Sequence, residues 1–226
     1  MDIYDSDLEK IATIDVSKRL GYPARVTETM ITNDMMCSWL NNLPVQNVVG
    51  GMYLLLNTVN SNNPISFNSQ IGKYITRSKE LADHPVVGVT WFGAALFCYS
   101  AGGRLLTEPE WQTIASNEEN FLSEYPFEGP PNANVANYGN LQGGTTPVKM
   151  FPPNRCGLYD MAGNVREWTS SKYVPEKNTK NVVGNMHALV KGGAWDKTSA
   201  HLKIGTRAGK FERIGTSGIG FRLLVL

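Results

Sequence analysis

The stretch that most limits how this chain can fold is Phe151 to Ser171, FPPNRCGLYDMAGNVREWTSS. A proline bend, two turns bracketed by glycine, two carboxylates and a tryptophan share these residues. Too few apolar residues follow one another for an ordinary helix or strand, so the stretch predicts a folded loop. Asp160 and Glu167 stand seven apart, with Gly157 and Gly163 as permissive backbone points, and the loop can curl to aim both carboxylates inward. A curl also turns carbonyls inward, and a hard cation takes about six to eight oxygens. Asp160, Glu167 and the carbonyls near Gly163 and Val165 are therefore a candidate Ca²⁺ site. The same residues also fit a loop in which Glu167 pairs with an arginine and Asp160 caps a turn, since two carboxylates are few for a divalent ion. Both readings stay open on the chemistry.

GLYDMAGNVREWTSS resembles the GLYDMxGNVWEWTSD signature of the formylglycine-generating enzyme (sulfatase-modifying factor) family. Two more stretches agree in order and spacing: HPVVGVTWFGAALFCYSAGGRLLTEPEW (84 to 111), and VKGGAW (190 to 195) leading to GIGFRLL (218 to 224). The resemblance is strongest over 84 to 226, and the N-terminal quarter is divergent. It implies an α+β, C-type-lectin-like fold rich in irregular loops. It also implies a structural calcium on Asp160, Gly163, Val165 and Glu167. A second calcium would begin at Asn137 and the carbonyl of Tyr138. The acid that should complete that second site has no clear counterpart, Asn140 being the nearest polar group.

The remaining sequence is consistent with one large domain, 1 to 226, because no Ser/Gly/Pro linker interrupts it. Charged residues are 18% and hydrophobic ones 42%, as in a soluble globular protein, and a net charge of +1 argues against a dedicated polyanion binder such as a nucleic-acid protein. No run is long enough to cross a membrane. MDIYDSDLEK is acidic where a secretion signal is basic then apolar, so a cytoplasmic or mature form is expected, with display or export left open. Cys37, Cys98 and Cys156 are odd in number and widely spaced, which argues against a full disulfide framework and a CxxC metal knuckle.

Along the chain, Asp5 to Ala12 reads as a short helix. Thr32 caps a helix carrying Met36, Trp39, Leu40 and Leu43 on one face. VVGGMYLLLN reads as a strand and NTVNSNNPISFNSQ as an exposed loop. Pro85 to Trp91 reads as a short buried strand, and Phe92 to Ser100 as a helix stopped by Gly102 and Gly103. Thr107, Pro109 and Glu110 form a capping box opening a helix over 108 to 116, which accounts for Glu108 and Glu110 without catalysis. Residues 117 to 150 have almost no regular pattern. HALVKGG, HLKIGTR and IGFRLLVL suggest a closing antiparallel sheet, with Arg222 turned away from Phe221 and Leu223 to meet an acid.

By the resemblance, the family's oxidases bind copper through two cysteines downstream of the Gly-Gly-Ser/Ala turn. Setting Gly192-Gly193-Ala194 on that turn puts Lys197 and Leu202 at those positions, and neither can ligate copper. The chain is expected to make no formylglycine. The leading expectation is a non-oxidase member, a pseudoenzyme or a variable binding protein like those of diversity-generating retroelements. It would hold a small-molecule, peptide or protein ligand on its C-terminal loops, at Trp195, Lys197, His201, Arg207 and Phe211. Charge agrees, since Lys191 to Leu226 carries seven basic residues against Asp196 and Glu212. The alternative is a non-haem iron oxygenase or oxidase of a tailoring pathway. It would use His187, His201 and Asp196 as ligands, the two histidines facing one another from adjacent strands. His84 reads as structural.

Overall fold

The computed structural model describes residues 11–43, 55–57, 63–116, 123–174 and 187–226. Strand β1 (Thr13–Asp15) runs antiparallel to β2 (Arg25–Thr27) across helix α1 (Ser17–Leu20), which ends at Gly21 with a left-handed φ of 79°. β2 then pairs with β10 (Leu224–Val225), and β10 with β5 (Gly103–Arg104), so the two ends of the described chain share one sheet in the order β1-β2-β10-β5. The approach at β5 is close enough to require glycine, because a Cβ on Gly103 would lie 2.2 Å from the Leu224 carbonyl oxygen.

The helices start where their caps predict. Thr32 Oγ1 accepts from Met35 N ahead of α2 (Asn33–Asn42), Thr90 Oγ1 accepts from Gly93 N ahead of α3 (Trp91–Ser100), and Thr107 with Glu110 completes a capping box on α4 (Glu108–Ala115). Glu110 is held a second time by a bidentate pair with Arg104, 2.7 Å at each nitrogen. α2 and α3 bury Trp39 and Phe97, and Phe97 packs between Trp39 and Phe221 with centroids 5.3 Å from each. Trp168, Val190 and Ile219 complete this core, and a second cluster gathers on Trp111, Val26, Ile114 and Leu158.

The second sheet has the order β8-β7-β6-β9, from β6 (Arg166–Lys172), β7 (His187–Lys191), β8 (Ala208–Phe211) and β9 (Ile219–Gly220). β6, β7 and β8 are antiparallel, whereas β9 runs parallel to β6. Among the described residues, no helix or strand lies between α4 and β6, in keeping with the expected loop-rich α+β fold.

Four expectations need correcting. IGFRLLVL is not one strand: Phe221 O accepts from Ile31 N and Leu223 O from Thr27 N, so the chain leaves one sheet at β9 and joins the other at β10. HLKIGTR is not a strand either, since Ser199–Leu202 is a 3₁₀ turn and the carbonyls of Ile204 and Thr206 accept from the buried Lys191 ammonium instead of a ladder. Pro85 to Thr90 is buried, but it bends at Gly88 (φ 73°) and its hydrogen bonds go separately to Ile31, Leu55 and Thr216, leaving only isolated bridges. The polar run after Asn57 includes a real strand, β3 (Ile65–Asn68), paired with β4 (Lys73–Thr76). Asn41 of α2 exchanges two hydrogen bonds with the Tyr74 backbone and fixes this hairpin. Most of the expected Asp5–Ala12 helix and of VVGGMYLLLN lies outside the described residues.

Candidate functional site

The Phe151–Ser171 loop wraps a buried ion pair. Glu167 is 1% exposed at the start of β6, and both of its oxygens receive donors, Arg222 Nε at 2.8 Å and Trp111 Nε1 at 2.9 Å. Arg222 spends its other donors on the carbonyls of Thr27 (3.2 Å), Glu28 (3.0 Å) and Tyr159. The sequence's expectation that Arg222 meets an acid is met here. The loop reaches this geometry through left-handed backbone at Asp160 (56°), Gly163 (79°) and Asn164 (57°). Asn164 locks the turn by exchanging two 3.0 Å hydrogen bonds with the Thr146 backbone.

Asp160 Oδ2 accepts from Lys149 N at 2.9 Å, while Oδ1 is buried and receives no donor. Burial pushes this carboxyl up to about 6, against the opposing pull of the Lys149 N–H and Arg222. An orphaned buried oxygen is what a hard cation satisfies, so the Asp160 end of the loop fits calcium, while Glu167 is already committed to Arg222 and Trp111. Asn137 also has a buried Oδ1 without a donor, its Nδ2 going to Gly144 O at 2.8 Å. The Tyr138 carbonyl accepts from Leu141 N.

Lys191 lies beside this pair. Its ammonium is fully buried, donates to Ile204 O (2.7 Å) and Thr206 O (2.8 Å), and faces Glu108 at 3.6 Å and the Trp111 ring at 5.5 Å. Desolvation pushes it down to about 8. The unfolded chain keeps that proton up to about pH 10.5, so between pH 8 and 10.5 the unfolded state binds more protons and stability rises with pH. Denaturation of wild type and Lys191→Met at pH 8 and pH 10 should show wild type gaining about 2–3 kcal/mol more than the variant over that interval. Equal gains would mean that the folded lysine titrates normally.

The loop after the glycine pair carries the other expected residues. Gly192 and Gly193 are left-handed (93° and 75°), and a Cβ on Gly193 would sit 2.9 Å from the His201 carbonyl oxygen. Lys197 Nζ pairs with Asp196 at 2.8 Å, and Leu202 is fully buried with Ala136 and Ala162. Copper does not fit these residues. The three thiols are also raised by burial, Cys37 to about 12, with Cys98 and Cys156 shifted the same way.

The five expected ligand residues fall into two groups. Trp195, Lys197 and His201 share the loop, His201 Nδ1 lying 3.1 Å from Thr198 Oγ1. Arg207 is drawn to Glu108 (2.8 and 3.0 Å), and Phe211 packs on His187 at 4.1 Å. The expected iron triad is not assembled. His187 pairs across the sheet with Phe211, His201 lies on a 3₁₀ turn, and among the described residues no three His, Cys, Asp or Glu side chains gather as a metal site. The sequence reading missed Arg166, which is 8% exposed and whose side chain has no hydrogen-bond or ion-pair partner among the described residues. Its signal was available, because Arg166 is where the family signature has tryptophan.

One antiparallel and one mixed four-stranded sheet, flanked by a few capped helices and long irregular loops, define a C-type-lectin-like domain of the formylglycine-generating type. The fold matches that of Treponema denticola variable protein 1 with a TM-score of 0.62 at 22% identity, covering 90% of this chain and 84% of that one. The chain belongs to the sulfatase-modifying factor enzyme 1-like domain family, whose model matches residues 12–225, well beyond the region where the motifs are plain. It is 36% identical over 151 residues to the serine/threonine-protein kinase pkn1 of Chlamydia pneumoniae, covering 62% of this chain and 24% of that protein. It is 32% identical over 163 residues to the inactive C-alpha-formylglycine-generating enzyme 2 of Mus musculus, covering 64% and 50%. The chain thus spans about a quarter to a half of the length of these curated relatives. No helix among the described residues is long and apolar enough to cross a membrane.

Proposed function

We propose that this chain is a non-oxidase member of its family that binds a small-molecule or peptide ligand on the loops after Gly193. The observation that carries the reading is the pair of residues at the positions where copper-using relatives bear sulfur. Leu202 is sealed in the core and Lys197 is tied to Asp196, so the loop offers charge and hydrogen bonds in place of thiolates. Similarity to a relative named as inactive, and a fold shared with a variable protein, are in keeping with that reading. A thermal-shift screen of anionic metabolites and short peptides tests it. A ligand that raises the melting temperature of wild type, and whose effect is lost in Trp195→Ala and Lys197→Ala, supports the reading. Hits that survive both substitutions place binding elsewhere.

Structural calcium is part of the same proposal. Asp160, with the carbonyls of Gly163 and Val165, would hold the ion and Glu167 would join them through the lone pairs that Arg222 and Trp111 leave free, and the ion's charge would neutralise the buried Asp160 carboxylate. Asn137 and the Tyr138 carbonyl would contribute oxygens to a second ion. Excess chelator should then lower the melting temperature by several degrees, as loss of a ligand that binds only the folded state requires, and added Ca²⁺ should restore it. An unchanged melt in chelator contradicts the calcium assignment.

A further inference from the structure

A cleft of about 560 Å³ opens between the outer face of α4 and the turn that follows the 3₁₀ segment Ser199–Leu202. Its size is that of a small-molecule site, for which about 300–1,000 Å³ is usual. Pro109, Gln112 and Thr113 form one wall, at the i, i+3 and i+4 positions of a single helix face. Lys203 to Thr206 form a second, and Ser123 with Glu124 a third. The walls are tied to one another. Ile204 N donates to the Glu124 carbonyl at 2.9 Å, Ser123 Oγ lies 2.9 Å from Ser116 Oγ at the end of α4, and the buried Lys191 ammonium holds the carbonyls of Ile204 and Thr206. The cleft is therefore formed before anything enters it, which reduces the ordering cost of binding. At its edge Lys203 Nζ meets Glu124 Oε1 at 2.6 Å, with the two side chains 43% and 57% exposed. A pair so open to water contributes little to stability and separates at small cost. The Gln112 amide and the Thr113 hydroxyl have no hydrogen-bond partner among the described residues, and Ile204 supplies a buried apolar surface.

We infer that this cleft binds the zwitterionic head of a free α-amino acid with a polar side chain, its ammonium on Glu124 and its carboxylate on Lys203. Opposite charges side by side leave the edge of the cleft with no net charge, so a simple anion or cation gains one partner and strands the other. An α-amino acid carries both charges on one carbon, at the spacing of a contact pair, and exchanges the internal ion pair for two charge-assisted hydrogen bonds. Its side chain then runs along α4, where the Gln112 amide and the Thr113 hydroxyl each offer a donor and an acceptor. Neither Trp195 nor Lys197 lines the cleft, so this site stands apart from the ligand reading of their loop.

Isothermal titration at low ionic strength with L-glutamine, N-acetyl-L-glutamine and L-glutamine α-amide tests the site. L-glutamine should bind once per chain and at least tenfold more tightly than either derivative, since each lacks one of the two charges. Glu124→Gln and Lys203→Met should each weaken it about tenfold or more, the loss expected of one charge-assisted hydrogen bond. Gln112→Ala should weaken L-glutamine several-fold and leave L-alanine, which has no side-chain amide, unaffected. Gly205→Trp should abolish binding. Gly205 lines the cleft, a Cβ there meets nothing within 4 Å and its φ is not left-handed, so the new side chain fills the space without straining the backbone. A melting temperature near that of wild type checks that this variant folds; if it does not, Glu124→Gln and Lys203→Met, both at half-exposed side chains, carry the test. L-glutamine that fails to bind, binds no tighter than its N-acetyl or α-amide derivative, or binds undiminished to the folded Gly205→Trp or to both charge variants overturns the inference.

Discussion

Replacing Arg222 with methionine is expected to lower stability by about 3–5 kcal/mol, the range for breaking a buried ion pair by removing one partner. The guanidinium is fully buried and is the charge partner of Glu167, itself 1% exposed. Methionine fills much of the volume but leaves a buried carboxylate facing the Trp111 N–H, and takes a donor from the carbonyls of Thr27, Glu28 and Tyr159, of which Glu28 keeps the Tyr159 N–H. Those three carbonyls belong to the β2 end and to the Phe151–Ser171 loop, so one side chain ties the first sheet to the loop. Urea denaturation measures the loss. Neutralising the stranded acid in Arg222→Met/Glu167→Gln should recover part of it, because the penalty lies in the unpaired charge more than in the missing contact. A single variant within about 1 kcal/mol of wild type would mean that water reaches Glu167.

Gly163→Ala is expected to cost about 2–5 kcal/mol, a large effect for one methyl group. Gly163 has a φ of +79°, where a Cβ costs about 1–2 kcal/mol. The added carbon would also lie 2.3 Å from the Asn137 carbonyl oxygen, a backbone atom that itself accepts from Asn164 N and has little room to retreat. Overpacking of this kind adds about 1–3 kcal/mol. Gly144→Ala is the comparison, since a Cβ there meets nothing within 4 Å and its φ is not left-handed. Thermal melts should separate the two variants by roughly 4–20 °C, at about 2–4 °C per kcal/mol for a chain of this size. Similar melts for both would contradict the packing of Gly163 against Asn137.

Local chemistry made part of this legible in the sequence. Thr32 and Thr107 announce their helices because a hydroxyl beside orphan N–H groups acts within one turn, and the glycine-bracketed loop announces itself by what it lacks. Arg222 was readable because its neighbours in sequence, Phe221 and Leu223, are apolar and demand the core. The stretch from His201 to Arg207 was misread because its alternation mimics a strand, whereas its backbone is held by Lys191, a residue far enough away in sequence that no local pattern shows it. β3 was missed because Asn and Ser favour turns locally, while pairing with β4 is decided by tertiary contact. The ligand list followed sequence proximity, so it gathered Arg207, which Glu108 engages. It passed over Arg166, which lies outside that interval and whose backbone N–H is held by the Gly218 carbonyl.

The central claim is that the loop after Gly193 has exchanged oxidation for binding. Incubating the protein with Cu(I) and a cysteine-bearing peptide, then trapping aldehydes for mass spectrometry, tests it most directly. With Lys197 ion-paired and Leu202 buried in the core, the account predicts no stoichiometric copper on the protein and no aldehyde above a protein-free control. Formylglycine produced in proportion to protein, with copper bound one per chain, would contradict it.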